Sequence, residues 1–204
     1  MSNYKTKLTP IRIGIFGDYM TGKSSVVNSF LYSEYDKNYF NIIDKNETKF
    51  NLNDGKEIKL ILWDTLGQDR FFKNTLKTLS NINGVILVLD VTKKSSFNNI
   101  NSWIKDFKEN LVLNPIIILF GNKSDIEKKN WEVSPEEIKD YVGKINLPYF
   151  EVSAKNNQGI KEGISFLVNE IYEKFKEENN NKNFNLKKNI GGDKNNCVGK
   201  NKNK

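Results

Sequence analysis

Two runs, "GVILVLD" at 84–90 and "PIIILFG" at 115–121, are apolar at nearly every position. A strand with one wet face alternates apolar and polar residues, so an unbroken run of strand length is one covered on both faces. Between the two, "SSFNNINSWIKDFKEN" places Phe97, Ile100, Trp103, Ile104 and Phe107 on one face of a helix. Parallel strands joined by crossover helices satisfy both patterns, which predicts an α/β sheet covered on both sides. The rest of the chain keeps the alternation. "IRIGIF" (11–16) reads as a strand, and "KSSVVNSFLYSE" carries Val26, Val27, Phe30 and Leu31 on one helical stripe. "ETKFNLNDGKEIKLILWD" reads as two strands joined at Asp54–Gly55. "SPEEIKDYV" opens a helix, with Ser134 as cap, Pro135 in the first turn and Glu137 closing a capping box. "LPYFEVSA" reads as a short strand, and 160–176 as a last helix with Ile160, Ile164, Leu167, Val168 and Ile171 inward. The pattern stops near Glu178.

These signals divide the 204 residues into an extension (1–7), one domain (8–177) and an Asn/Lys-rich tail (178–204). The net charge of +7 is concentrated at the end: residues 182–204 hold seven Lys and one acid, Asp193. Such a segment is expected to stay solvated and disordered, because it has almost no apolar surface to offset the entropy of ordering. Its Lys cluster suits an anionic membrane surface. Nucleic acid is a poorer partner, since no aromatic residues interleave with the Lys. The N-terminus "MSNYKTKLTP" lacks the apolar core of a secretory signal, and no apolar run reaches membrane-span length. With a single Cys, Cys197, no internal disulfide forms. The expectation is a cytoplasmic, non-secreted monomer whose tail meets the cytosolic face of membranes. The chain has no His, which removes His-based catalysis and metal ligation together.

The chemistry sits where strands end. "GDYMTGKSS" (17–25) follows a strand, opens a helix and has the spacing G-x-x-x-x-G-K-[ST]. Backbone N–H groups of Gly17, Asp18, Tyr19, Met20, Thr21, Gly22 and Ser25 would cradle phosphate, Lys23 would reach the β- and γ-phosphates, and Ser24 would offer its hydroxyl to Mg²⁺. In "WDTLGQD" (63–69), Asp64 is placed to hold Mg²⁺ directly or through water, Gly67 to give an N–H to a γ-phosphate, and Gln68 to orient an attacking water. In "FGNKSD" (120–125), Asn122 and Asp125 end a buried strand. A carboxylate accepts two N–H bonds from guanine, and adenine lacks that donor pair. "SAK" (Ser153, Ala154, Lys155) follows another strand.

Together these motifs resemble the Ras superfamily of small GTPases, and most closely its Rab branch. The residues that carry the resemblance are "IKLILWDTLGQDRF", "VLDVTKKSSFNNINSWIKDF", "GNKSD" and "EVSAK", and it spans about 8–176. It implies a P-loop NTPase three-layer α/β/α fold, with a six-stranded, mostly parallel sheet and five helices. It also implies a GTP/GDP switch with Mg²⁺, read by exchange factors, GTPase-activating proteins and effectors. Ala154 and Lys155 would help hold guanine, and Lys123 would pack along the base. The effector region would be Tyr39, Phe40, Asn41, Ile42, Ile43, Asp44, Lys45, Asn46, Glu47 and Trp63.

The chain departs from that pattern in four places. Tyr19-Met20-Thr21 stands where Rab-like loops have Ser-Gly-Val, which puts a ring beside the γ-phosphate. Asn41 stands where the family has the switch Thr, and could offer a side-chain carbonyl oxygen to Mg²⁺ in its place. Of three aromatic residues that Rab proteins show to partners, only Trp63 is matched; Asn46 and Leu79 stand for the others, and a Tyr pair becomes Thr78-Leu79. Cys197 is followed by "VGKNKNK" and fits no terminal prenylation pattern. The rival readings are a GTP-binding interaction module with negligible hydrolysis, a P-loop ATPase or kinase, and a basic-tailed nucleic-acid binder.

Overall fold

The computed structural model describes residues 9–32, 44–65, 79 and 81–191. The readings made on residues 39–43, Gly67, Gln68, Thr78 and Cys197 lie outside the described residues. Six strands form one sheet: β1 (Ile11–Phe16), β2 (Asp44–Asn51), β3 (Glu57–Asp64), β4 (Gly84–Asp90), β5 (Ile116–Asn122) and β6 (Tyr149–Glu151). Their order is β2-β3-β1-β4-β5-β6. Only β2 runs antiparallel to its neighbour. Among the described residues there are five α-helices: α1 (Lys23–Tyr32), α2 (Lys94–Asn98), α3 (Ile100–Asn110), α4 (Pro135–Ile145) and α5 (Ile160–Gly191). The fold is the α/β architecture that the alternating pattern predicts. The chain divides into two compact units, Met1–Ile171 and Tyr172–Lys204.

All seven residues of β4 are buried, as an unbroken apolar run requires. Val85, Leu87 and Leu89 join Phe16, Phe97, Trp103, Phe107 and Ile138 in one core layer. The Phe16 and Phe107 rings lie 5.0 Å apart and tilted, a favoured aromatic geometry. On the opposite face α5 lies against the sheet, where Gly84 leaves room for the side chains of Leu167 and Ile171. Ile160, Ile164, Leu167, Val168 and Ile171 are all buried, as their helical spacing predicts. In α1 the buried face is displaced from the expected stripe. Val26 and Val27 are buried together with Asn28 and Ser29, whereas Phe30 and Leu31 are only half-buried.

The hairpin between β2 and β3 turns where Asp54–Gly55 predicts. Gly55 N donates to Leu52 O at 2.9 Å, and Leu52 N donates to Lys56 O at 2.8 Å. The left-handed φ of 80° falls on Gly55, which bears it at no steric cost. The helix expected over residues 95–110 is split at Asn99 into α2 and α3. At α4 the cap forms as expected: the Ser134 hydroxyl oxygen accepts from Glu137 N at 3.1 Å. The capping box does not close, because the Glu137 carboxylate is ion-paired with Lys94 instead. Helix α5 continues to Gly191, past residue 178, where the apolar stripe has ended. In the second unit Lys176 lies over the Tyr172 ring, 4.6 Å from its centroid, and pairs with Glu173 at 2.5 Å.

Tyr149 in β6 buries its hydroxyl with no hydrogen-bond partner among the described residues. The hydroxyl rests on Gly121 of β5, where a Cβ would collide with it. Burial, and then the charge of Glu151, push its pKa well above the usual tyrosine range. Removing an unsatisfied buried hydroxyl removes a desolvation cost. Tyr149→Phe should therefore raise the unfolding free energy by about 1 kcal/mol, measured by urea denaturation. Ser134→Ala should lower it by about 1 kcal/mol in the same experiment, through loss of the cap.

Candidate functional site

The loop between β1 and α1 turns through three residues of positive φ: Gly17 at 141°, Met20 at 64° and Gly22 at 93°. Two of these positions admit no side chain. A Cβ on Gly17 would strike the Val88 carbonyl of β4, and one on Gly22 would strike Asn122 Nδ2. That space is used. Asn122, at the end of β5, donates from Nδ2 to Thr21 O at 2.9 Å. Its Oδ1 accepts from Ala154 N at 3.1 Å. One buried carboxamide thus joins the glycine loop to the loop after β6. Met20 is different: it adopts the left-handed region with a full side chain, a conformation that costs an L-residue about 1–2 kcal/mol. Tyr19 and Met20 point outward, 62% and 60% exposed.

Lys23 begins α1 and is only 6% exposed. Its Nζ donates to Asp18 O at 2.8 Å. Burial lowers its pKa from 10.5 to about 8, and the carboxylates of Asp64 and Asp18 oppose that shift. Ser24 and Ser25 follow, both half-buried. Asp64 ends β3 in register with Ile15 of β1 and is buried. Next to it the Thr65 hydroxyl donates to Ile15 O at 2.7 Å, fixing the exit from β3.

On the other side of the loop, Asp125 accepts from the Ser153 hydroxyl at 2.7 Å. Its second oxygen faces Lys155 Nζ at 3.5 Å. Lys123 has φ 69° and carries its ammonium to Asp90, 2.5 Å away. Asp90 is fully buried, and its other oxygen accepts from Thr92 N at 3.0 Å and Thr92 Oγ1 at 2.6 Å. Reading by motif overlooked Asp90. The signal for it is an acid that ends a wholly apolar run with Thr two residues on, the pattern of an Asx turn. It also overlooked the Asp18 side chain, which accepts from Trp103 Nε1 at 2.8 Å and Asn99 Nδ2 at 2.7 Å. A cleft of about 360 Å³ lined by Asp18, Tyr19, Lys93 and Asn99 opens beside the loop. The described residues of the four motifs, 17–25, Asp64, 122–125 and 153–155, all lie at the carboxyl ends of β1, β3, β5 and β6. Ligands of open α/β sheets bind at that edge.

The described part of the effector region is a charged ladder. Lys45 pairs with Glu47 at 2.5 Å, Lys59 pairs with the same carboxylate, and Lys45 Nζ lies 6.0 Å from the Trp63 ring centroid. Hydrogen bonds from the two lysines lower the Glu47 pKa to about 2. Trp63 and Asn46 are half-buried. Leu79 is 3% exposed and packs in the core layer with Phe16, so it is a core residue rather than a contact for partners. An aliphatic side chain gains more from burial than from facing water.

Because its folded pKa lies below 10.5, Lys23 is charged in the unfolded chain and neutral in the folded one between about pH 8 and 10.5. The unfolded state then binds more protons, so stability rises with pH across that window. Without ligand, the chain should gain up to about 1.4 kcal/mol per pH unit there relative to Lys23→Met, read from denaturant midpoints at several pH values. Met20→Gly should raise stability by about 1 kcal/mol by relieving the left-handed strain.

The family model that matches this chain is the one described as the Ras family, over residues 12–173. The chain is 33% identical over 164 residues to the GTP-binding protein ypt3 of Schizosaccharomyces pombe, covering 78% of this chain and 76% of that protein. It is 34% identical over 163 residues to the GTP-binding protein ypt1 of the same yeast, covering 78% and 79%. It is 34% identical over 158 residues to the Ras-related protein Rab-13 of Bos taurus, covering 77% of each. The match over residues 12–173 and the identity to three Rab and Ypt relatives lead to one conclusion: the chain belongs to the Ras family of small GTPases, on its Rab branch.

Proposed function

We propose that this protein is a Rab-like molecular switch that binds GTP and GDP with Mg²⁺, hydrolyses GTP slowly and serves membrane trafficking. The observation that carries this reading is the Asp125 carboxylate. It is held by the Ser153 hydroxyl at 2.7 Å, beside the Asn122 clamp on the glycine loop. A fixed carboxylate at that edge suits the paired N–H donors of guanine. Lys23 would pair with the β- and γ-phosphates, whose charge restores the protonated ammonium that burial disfavours. The Ser24 hydroxyl, the Asp64 carboxylate and the Asn41 side-chain carbonyl would offer oxygen ligands, the kind that a hard cation takes. Mg²⁺ held there would neutralise charge on the phosphates.

Gly67 would bond the γ-phosphate and Gln68 would orient the attacking water. Tyr19 acts against that step. Its exposed ring stands on the loop where the γ-phosphate would lie, and it would crowd the water or an inserted arginine. Intrinsic turnover is then on the order of 10⁻⁴ per second or slower. Exchange factors, activating proteins and effectors would act on the switch, and the Lys-rich tail would draw it to anionic membranes. Among the described residues no helix is long and apolar enough to cross a membrane.

Single-turnover hydrolysis of bound GTP tests this reading. Slow conversion to GDP that disappears in Gln68→Leu and accelerates several-fold in Tyr19→Gly is expected. Tight GTP binding without conversion in either the parent or Tyr19→Gly would instead identify a binding module with negligible hydrolysis. Asp125→Ala should abolish the preference for GTP over ATP in a competition assay, with a loss of about 100-fold or more in GTP affinity.

A further inference from the structure

The glycine loop contains a carboxylate where an anion is to be bound. Asp18 is the second loop residue, and its own backbone oxygen accepts from Lys23 Nζ at 2.8 Å and from Thr21 Oγ1 at 3.0 Å. Left to rotate, its side chain would lie within reach of Lys23 and the loop N–H groups, and would compete with phosphate for the same donors. The structure turns it the other way. Oδ1 accepts from the indole N–H of Trp103 and Oδ2 from the amide of Asn99, at 2.8 and 2.7 Å. Asn99 sits at the junction where the expected single helix divides into α2 and α3, and Trp103 lies in the first turn of α3. Trp103 is itself fixed, with its ring 6.3 Å from Phe16 and 6.0 Å from Phe107. Two donors, one on each oxygen, hold the charge more firmly than either does alone.

We infer that Trp103 and Asn99 are positioning residues that hold the Asp18 carboxylate off the phosphate site, so that the start of α3 controls nucleotide retention. The inference rests on the nucleotide reading above and adds a control point to it. The indole ring packs in the core, but the N–H is what turns the carboxylate. Trp103→Phe removes that donor and keeps an aromatic ring. Asn99→Ala, at an exposed position, removes the other donor with little effect on packing. Neutralising the charge that those donors restrain should then reverse the defect.

The test is the dissociation rate of fluorescent mant-GDP from the full chain with Mg²⁺ present. Trp103→Phe should accelerate release about tenfold and Asn99→Ala about threefold. Adding Asp18→Asn to Trp103→Phe should recover most of the loss, because an amide cannot compete with phosphate as an anion. A packing defect alone would not be rescued by a change at Asp18. Unchanged release in Trp103→Phe and Asn99→Ala would overturn the inference, and so would failure of Asp18→Asn to rescue. If Trp103→Phe does not fold, Asn99→Ala with and without Asp18→Asn decides by the same criteria. Failure of the parent chain to retain mant-GDP would overturn the nucleotide reading and this inference together. Retention by the parent, with parental rates in the variants, would overturn only this one.

Discussion

The amide of Asn122 is the contact on which the ligand-binding edge depends. It lies in space that Gly22 leaves open, donates to Thr21 O and accepts from Ala154 N. Three loops from three different strand ends are fixed by one group with one donor and one acceptor in use. In a buried setting such bonds are strong, and leaving either partner unsatisfied is costly. The arrangement therefore specifies one loop geometry. A larger residue at Gly22 would not simply crowd the loop; it would push Asn122 off both partners.

Around that clamp the charges are arranged in restrained pairs. Asp90 is fully buried but fully engaged, with Thr92 on one oxygen and Lys123 on the other. Asp125 is held by Ser153 and Lys155, and Asp18 by Trp103 and Asn99. Lys23 is the exception. It is buried with acids nearby but keeps a lowered pKa, because burial outweighs them. Burial disfavours its charged form, which a neighbouring anion would favour.

The loop also tolerates strain. Met20 occupies a left-handed position that a glycine would fill without cost, and its side chain, like that of Tyr19, stands in solvent. Strained residues persist where the surroundings over-determine the backbone. Here Gly17, Thr21 and Lys23 fix the loop on both sides of Met20 through Val88, Asn122 and Asp18. Outward projection explains how bulky residues fit this loop at all.

Local pattern alone determined much of this protein. The unbroken apolar runs specified buried parallel strands, the helical stripe of α5 specified its inward face, and Asp54–Gly55 located the hairpin. The spacing of Gly17, Gly22, Lys23 and Ser24 located the loop. These follow from backbone periodicity and glycine's conformational freedom, which act within a few residues. Tertiary structure decided what depends on distant neighbours. Leu79 is a core residue because it joins Phe16 and the β4 side chains in one apolar cluster, and Glu137 leaves its capping box because Lys94 is within reach. The Asp18 carboxylate finds Trp103, 85 residues away, and Asp90 finds Lys123, 33 residues away. No periodicity encodes such pairings, since only the packing of helices and strand ends around the sheet brings those residues together.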